Sequence, residues 1–189
     1  MERLRESLLN APVVSKGDYD YFVHPITDGI PLLEPSLLRE IVTGILRKSE
    51  VEKADKIVAP EAMGIHISTA VSLATDVPVV VVRKRGYGLE GETQVRQTTG
   101  YSENEMYINN VNEGDTVVLL DDVVSTGGTL SSIVGALEDI GAEVADVVTV
   151  IQKRSDEREI ETEFKSLIEV DVVDGEVEIL SDTDTDTDS

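Results

Sequence analysis

The chain contains no cysteine and no tryptophan. Without thiols there is no disulfide, no thiolate nucleophile and no cysteine-ligated metal. Aromatics are few, five Tyr and two Phe, so the core has to be aliphatic. Basic residues are scarce as well: 16 Lys and Arg stand against 38 Asp and Glu, for a net charge of −22. Binding a nucleic-acid backbone through a broad basic face is disfavoured, because that mode needs Lys and Arg to neutralise phosphates. No run of about 18 apolar residues could span a bilayer. No N-terminal apolar segment resembles a signal peptide. A soluble, cytoplasmic protein is expected.

What is present fits one domain of 189 residues with a sizeable core. The acidic excess is spread along the chain. A carboxylate surface of this density stays hydrated in concentrated salt, and it implies a halophilic protein. The first twelve residues, MERLRESLLNAP, form an amphipathic helix ending before Pro12. Residues 19–33 hold three of the seven aromatics with Pro and Gly, and read as an extended hairpin or loop. Ser36 is a candidate N-cap. After it, Leu37, Leu38, Ile41, Val42, Ile45 and Leu46 recur at helical spacing to about Glu50.

From there, strand and helix patterns alternate. DKIVAP (55–60) reads as a strand, GIHISTAVSLAT (64–75) as a helix and PVVVVRK (78–84) as a strand buried on both faces. Residues 85–105 carry glycines and little hydrophobic period, the pattern of a functional lid loop. EMYINN (105–110) and DTVVLLDD (115–122) read as strands. The segment from Thr126 is a helix ending at Gly141, and EVADVVTVIQK (143–153) is a further strand. This alternation implies a mostly parallel sheet. LIEVDVVDGEVEIL (167–180) is a hairpin with Asp-Gly in its turn. The tail SDTDTDTDS (181–189) is charged, low in complexity and expected to be disordered.

The stretch VVLLDDVVSTGGTL (117–130) carries the chemistry. In a parallel sheet the ligand site lies beyond the carboxyl ends of the strands, where Asp121 and Asp122 fall. The turn that follows opens a helix whose backbone N–H groups and dipole suit a phosphate. Gly127 and Gly128 permit close approach, and Ser125, Thr126 and Thr129 add hydroxyls. One end of the motif wants an anion and the other wants hydroxyls or a cation. A sugar phosphate satisfies both.

Residues 121–129, DDVVSTGGT, closely resemble the substrate motif of type I phosphoribosyltransferases, which use 5-phosphoribosyl 1-diphosphate (PRPP). The resemblance spans roughly residues 19–153. It is closest to the adenine and xanthine branches and to an archaeal hypoxanthine/guanine-like branch. It implies an α/β fold: a central, mostly parallel sheet flanked by helices, with a small hood and a flexible catalytic loop. The expected layout is a single domain over 1–180, with the hood from about 12–35 plus 155–180, and a disordered acidic tail over 181–189. PRPP would contact Glu61, Ala62, Met63 and Gly64 of a pyrophosphate loop, Arg83 and Lys84 before the catalytic loop, and Asp121, Asp122, Val123, Val124, Ser125, Thr126, Gly127, Gly128 and Thr129. In the family the pyrophosphate loop often contains a non-proline cis peptide. Met63 stands where adenine enzymes usually carry Arg. Arg96 and Tyr101 would approach on closure of the loop.

The resemblance also implies purine contacts. Phe22 of the hood would stack on the base, and His24 sits where xanthine-type enzymes place a polar base reader. Lys153 would donate to the exocyclic oxygen of a 6-oxopurine and repel the amino group of adenine. The implied reaction moves the phosphoribosyl group from pyrophosphate to a purine nitrogen, through a transition state resembling an oxocarbenium ion. Asp121 and Asp122 hold the ribose hydroxyls and face the cationic ring, and Lys84 assists the departing pyrophosphate. Mg²⁺ would be held mainly by substrate oxygens and water, with help from Asp121 and Asp122. Ser125 takes the place of the carboxylate that acts as proton carrier in bacterial and animal hypoxanthine-guanine enzymes, so the acid/base group stays open. An adenine enzyme and a non-catalytic PRPP-sensing regulator are the alternatives. The expected assembly is a homodimer.

Overall fold

A computed structural model describes residues 1–17, 19–99, 102–155 and 162–182. Helix α1 (Glu2–Leu9) precedes a hairpin of β1 (Val13–Lys16) and β2 (Tyr19–Phe22), a one-turn helix α2 (Pro25–Asp28), and α3 (Pro35–Lys48). Next come β3 (Lys56–Pro60), α4 (Gly64–Thr75), β4 (Val79–Val82), and a hairpin of β5 (Thr93–Thr99) and β6 (Ser102–Ile108). β7 (Thr116–Val124), α5 (Gly128–Ile140), β8 (Glu143–Lys153), β9 (Lys165–Val173) and β10 (Glu176–Asp182) complete the order.

Six strands form the central sheet in the order β10-β9-β8-β7-β3-β4. All neighbours are parallel except β10, which returns antiparallel from β9. That return is a tight Asp174-Gly175 turn with φ of 51° and 81°. Both central residues of a type I′ turn need positive φ, which is why Asp-Gly is placed there.

β7 lies inside the sheet and its side chains alternate between two cores. Val118 and Leu120 join the α1, α3 and α4 side, with Leu4, Ile41, Ile45 and Ile67. Val117 and Leu119 join the α5 side, with Leu130, Ile133 and Leu137. Each fully buried aliphatic of this kind contributes roughly 1.5–3 kcal/mol. The parallel order brings the carboxyl ends of β3, β4, β7 and β8 to one edge of the sheet.

Five expectations change. The lid segment 85–105 is not irregular throughout: β5 and β6 pair from Thr93↔Ile108 to Thr99↔Ser102. Among the described residues Val95, Met106 and Ile108 anchor that hairpin in the α5-side core, too thin a stripe to show as a period. The end of β4 is tied to β6 by reciprocal backbone bonds between Arg83 and Tyr107, 2.9 and 2.7 Å. β4 itself is an edge strand, with Val80 and Val82 buried and Val79 and Val81 only half-buried. α3 begins at an N-cap of Glu34 with Pro35 in the first turn, not at Ser36, because the fixed φ of proline is preorganised for that position. Residues 25–28 make a helical turn in place of extended chain. Ser181 and Asp182, expected in a disordered tail over 181–189, belong instead to β10, where Asp182 is buried beside Arg5. Tyr101 and residues 183–189 lie outside the described residues, as does the side chain of Arg96.

Among the described residues only four acidic side chains are buried: Asp121, Asp122, Asp146 and Asp182. The remaining described carboxylates meet solvent and repel one another. Raising KCl from 0.1 M to 2 M shortens the screening length from about 10 Å to under about 3 Å. The melting temperature at pH 7, followed by calorimetry, should therefore rise across that range. A fall would contradict a surface held back by self-repulsion.

Candidate functional site

Two cavities meet at the carboxyl edge of the sheet. The smaller, about 320 Å³, is walled by Pro60 and Glu61 after β3, Lys84 after β4, Met106 of β6, and residues 121–130. The larger, about 550 Å³, is walled by the β1–β2 hairpin and α2 above, and by Asp122, Val123, Ser125 and Lys153 below. Asp122, Val123 and Ser125 line both cavities, so a ligand could run continuously from one to the other.

The small cavity combines a backbone nest with fixed charges. Gly127 caps α5 at φ 87°, a conformation that favours glycine. Asp121 and Asp122 belong to β7 itself, and the Asp122 N–H donates to Asp121 Oδ1 at 2.9 Å. Gly64, the first residue of α4, presses on this pair: a Cβ there would stand 3.1 Å from Asp121 Oδ1 and 3.1 Å from the Leu120 carbonyl oxygen. The close approach puts the positive end of the α4 dipole beside a carboxylate.

Glu61 is the hinge of the cation side. Its Oε1 accepts the Lys84 backbone N–H at 2.6 Å, and its Oε2 pairs with Arg83 Nε at 3.0 Å. The Lys84 side chain is exposed and lines the small cavity, while Arg83 is held by Glu61 and is not part of that wall. Ala62, Met63 and Gly64 likewise form the turn into α4, not the wall. The Glu61–Ala62 peptide is cis. Met63 reaches toward the turn after α2, its Cε 3.7 Å from the place a Cβ would take on Gly29.

Phe22 lines the large cavity, and so does Lys153, whose Nζ donates to the Asp20 carbonyl of β2 at 2.7 Å. His24 does not line it. The ring is fully buried, Nδ1 accepts the Ile26 N–H at 3.2 Å, and Nε2 meets Ser7 Oγ at 2.8 Å. Burial drives its pKa down to about 4, against an opposing pull from Asp28, so the imidazole is neutral at pH 7. His24 caps α2 and ties it to α1, away from the cavity wall. Sequence reasoning missed Thr27 and Asp28 in this wall, and Met106 in the other. The alternation Met106–Ile108 was the one signal for Met106.

The chain matches the family described as the phosphoribosyl transferase domain over residues 35–182. It belongs to the phosphoribosyltransferase family. The HGPRTase-like protein of Natronomonas pharaonis is 64% identical over 183 residues, covering 95% of this chain and 97% of its own length. The HGPRTase-like protein of Halomicrobium mukohataei is 62% identical over 185 residues, covering 96% and 98%. Among solved structures, adenine phosphoribosyltransferase from Thermoanaerobacter pseudethanolicus superposes with a TM-score of 0.72 at 24% identity, over 88% of this chain and 99% of that one. The Saccharomyces cerevisiae enzyme, complexed with an imino-altritol bisphosphate and adenine, gives 0.67 at 21% identity over 80% and 90%. At these identities the structural likeness shows the fold, that of a type I phosphoribosyltransferase. The chemistry of the family is pentosyl transfer.

In this phosphoribosyltransferase the buried aspartates differ sharply from the other buried acids. Asp146 pairs with Lys165 at 2.7 Å, and Asp182 pairs with Arg5. Asp121 and Asp122 have no ion-pair partner among the described residues. Burial pushes the Asp121 carboxyl well above the ordinary range, with the neighbouring Asp122 charge adding to it and Lys84 opposing. Burial raises Asp122 too. The folded chain therefore takes up the Asp121 proton at a higher pH than the unfolded chain does. Across the window between those two values stability falls as pH rises, and the deficit persists above it.

Asp121→Asn should then stabilise the ligand-free enzyme at pH 7. The melting temperature should rise by a few degrees, since each kcal/mol corresponds to about 2–4 °C at this chain length. The gain over wild type should shrink as pH is lowered toward 4. A lowered melting temperature at pH 7 would contradict the placement of an uncompensated charge. Glu61→Gln should loosen Arg83 and the start of the following loop. We expect the KM for the phosphoribosyl donor to rise about tenfold with kcat changed less, checked by steady-state kinetics.

Proposed function

We propose that the chain transfers the phosphoribosyl group of PRPP to a 6-oxopurine, giving the nucleoside monophosphate and pyrophosphate. The observation that carries this reading is the pair of cavities joined through Asp122, Val123 and Ser125, with Lys153 in the wall of the larger. The turn over 125–129 takes the 5′-phosphate with backbone N–H groups. Asp121 and Asp122 take the ribose hydroxyls. The same two carboxylates lie beside the anomeric carbon, where positive charge develops as the bond to pyrophosphate breaks. Burial makes their negative charge costly without a ligand and effective with one. Lys84 meets the departing pyrophosphate at the open side of the small cavity. Phe22 packs on the base, and Lys153 donates to its exocyclic oxygen; an adenine amino group there would set donor against donor.

Mg²⁺ fits this donor set in a limited way. Among the described residues no cluster of three or more His, Asp or Glu could hold a metal. Asp121 and Asp122 are the residues that would share it, with substrate oxygens and water completing the shell. Bound there, it would neutralise charge on the pyrophosphate.

Adenine transfer is the competing reading, supported by the fold likeness to adenine enzymes; Lys153 weighs against it. A PRPP-sensing regulator without catalysis is disfavoured by the open Lys84 and the intact motif. Assembly as a homodimer, in the cytoplasm, completes the reading; sedimentation tests the first.

Incubation with PRPP, Mg²⁺ and each of adenine, hypoxanthine, guanine and xanthine in molar KCl tests the reaction. Nucleotide should form with at least one 6-oxopurine, and Lys153→Ala should cost about tenfold or more in kcat/KM for that base. Product from adenine alone would overturn the 6-oxopurine assignment. Absence of product with every base would overturn the enzyme reading for this chain.

A further inference from the structure

We propose that Asp28 reads the purine at its 2-position and favours guanine over xanthine. The proposal rests on the 6-oxopurine reading above. Asp28 lies on the wall of the 550 Å³ cavity with Phe22, Asp122 and Lys153. Its Oδ2 is committed, accepting the His24 backbone N–H at 3.0 Å and the Thr27 hydroxyl at 2.6 Å. No hydrogen bond engages Oδ1 among the described residues. The carboxylate is therefore fixed by one oxygen and leaves the other as a bare acceptor.

The turn that carries it is rigidly seated. His24 is buried and capped onto Ile26, and its Nε2 meets Ser7 of α1, whose hydroxyl also donates to the Leu4 carbonyl at 3.0 Å. Gly29 closes the turn at φ 70°. Asp28 shares this wall with Asp122, and its charge adds to the rise that burial gives the Asp122 carboxyl.

The chemistry discriminates at the base edge. Guanine presents, in order, an O6 acceptor, an N1–H donor and a 2-amino donor. Lys153 supplies the donor that O6 needs. Asp28 Oδ1 has two lone-pair sites, which suit the adjacent N1–H and amino N–H. Hypoxanthine offers Oδ1 only N1–H. Xanthine also offers N1–H, but it sets a 2-oxo acceptor beside a carboxylate that cannot donate, so that oxygen stays unpaired and is repelled by the charge. The order of preference follows as guanine, hypoxanthine, xanthine.

The test compares kcat/KM for the three oxopurines in the wild-type chain and in Asp28→Asn. Asparagine keeps an oxygen for the His24 N–H and turns an amide donor toward the cavity. The guanine-to-xanthine ratio should fall by about tenfold or more, while the KM for PRPP and the melting temperature stay within about twofold and a few degrees of wild type. A merely structural Asp28 would move all three bases together. A ratio within about twofold of wild type overturns the role of Asp28 and leaves the 6-oxopurine reading standing. Xanthine as the best wild-type substrate overturns it with no variant needed. Turnover of adenine alone, or of no base, overturns both readings.

Discussion

Two carboxylates buried without a cation are the constraint around which this phosphoribosyltransferase is arranged. Removing an ionised carboxyl from water is costly unless it is paired. The chain respects that rule at Asp146 and Asp182, where Lys165 and Arg5 stand within ion-pair distance. It breaks the rule at Asp121 and Asp122, in the last residues of a strand flanked by β3 and β8. Two features lessen the cost. The Asp122 N–H donates to Asp121, and a glycine at the start of α4 lets the helix dipole come close. Neither supplies a full positive charge. A ligand that brings positive charge to the pair would lower that cost.

The walls around the pair are joined by hydrogen bonds between elements distant in sequence. Glu61 links the loop after β3 to the end of β4. Lys153 links the end of β8 to strand β2. His24 links the hood turn to α1 through Ser7. Each tie uses one polar side chain whose partners lie outside its own element, so each fixes the separation of two walls. Preorganisation of this kind is what electrostatic catalysis needs, because dipoles already in place do not reorient during the reaction. It also explains why a histidine in the hood serves as an anchor: a ring forced neutral by burial makes a poor ligand for an anion but a good two-ended hydrogen-bonding strut.

The parallel core was legible because its signals are local. Helix α4, strand β8 and the Asp-Gly hairpin follow from apolar period and turn chemistry, and they fall where those signals place them. The strand end and glycine turn over 121–129 were legible for the same reason: nine consecutive residues carry them. What escaped depends on contacts across the chain. Among the described residues Val95 is the buried apolar side chain of β5, so that strand shows no period, whereas Met106 and Ile108 marked only the end of β6. His24 and Asp28 are four residues apart and both polar. Only the folded turn separates them, burying the imidazole and leaving the carboxylate on the cavity wall. Sequence spacing cannot tell which of two neighbouring polar groups a turn will hide.

The acidic surface and the site pose opposite demands. A chain of net charge −22 repels the phosphorylated sugar and pyrophosphate that a phosphoribosyltransferase must exchange. In dilute salt that repulsion extends about 10 Å from the surface, whereas molar salt confines it to about 3 Å. At the shorter range only groups in the cavity wall are felt by an arriving anion, and those include Lys84 and the N–H groups at the start of α5. Concentrated salt thus does more than relieve self-repulsion in the fold. It hides the surface charge from an approaching anion, so that Lys84 and the N–H groups at the start of α5 are felt beside two buried aspartates.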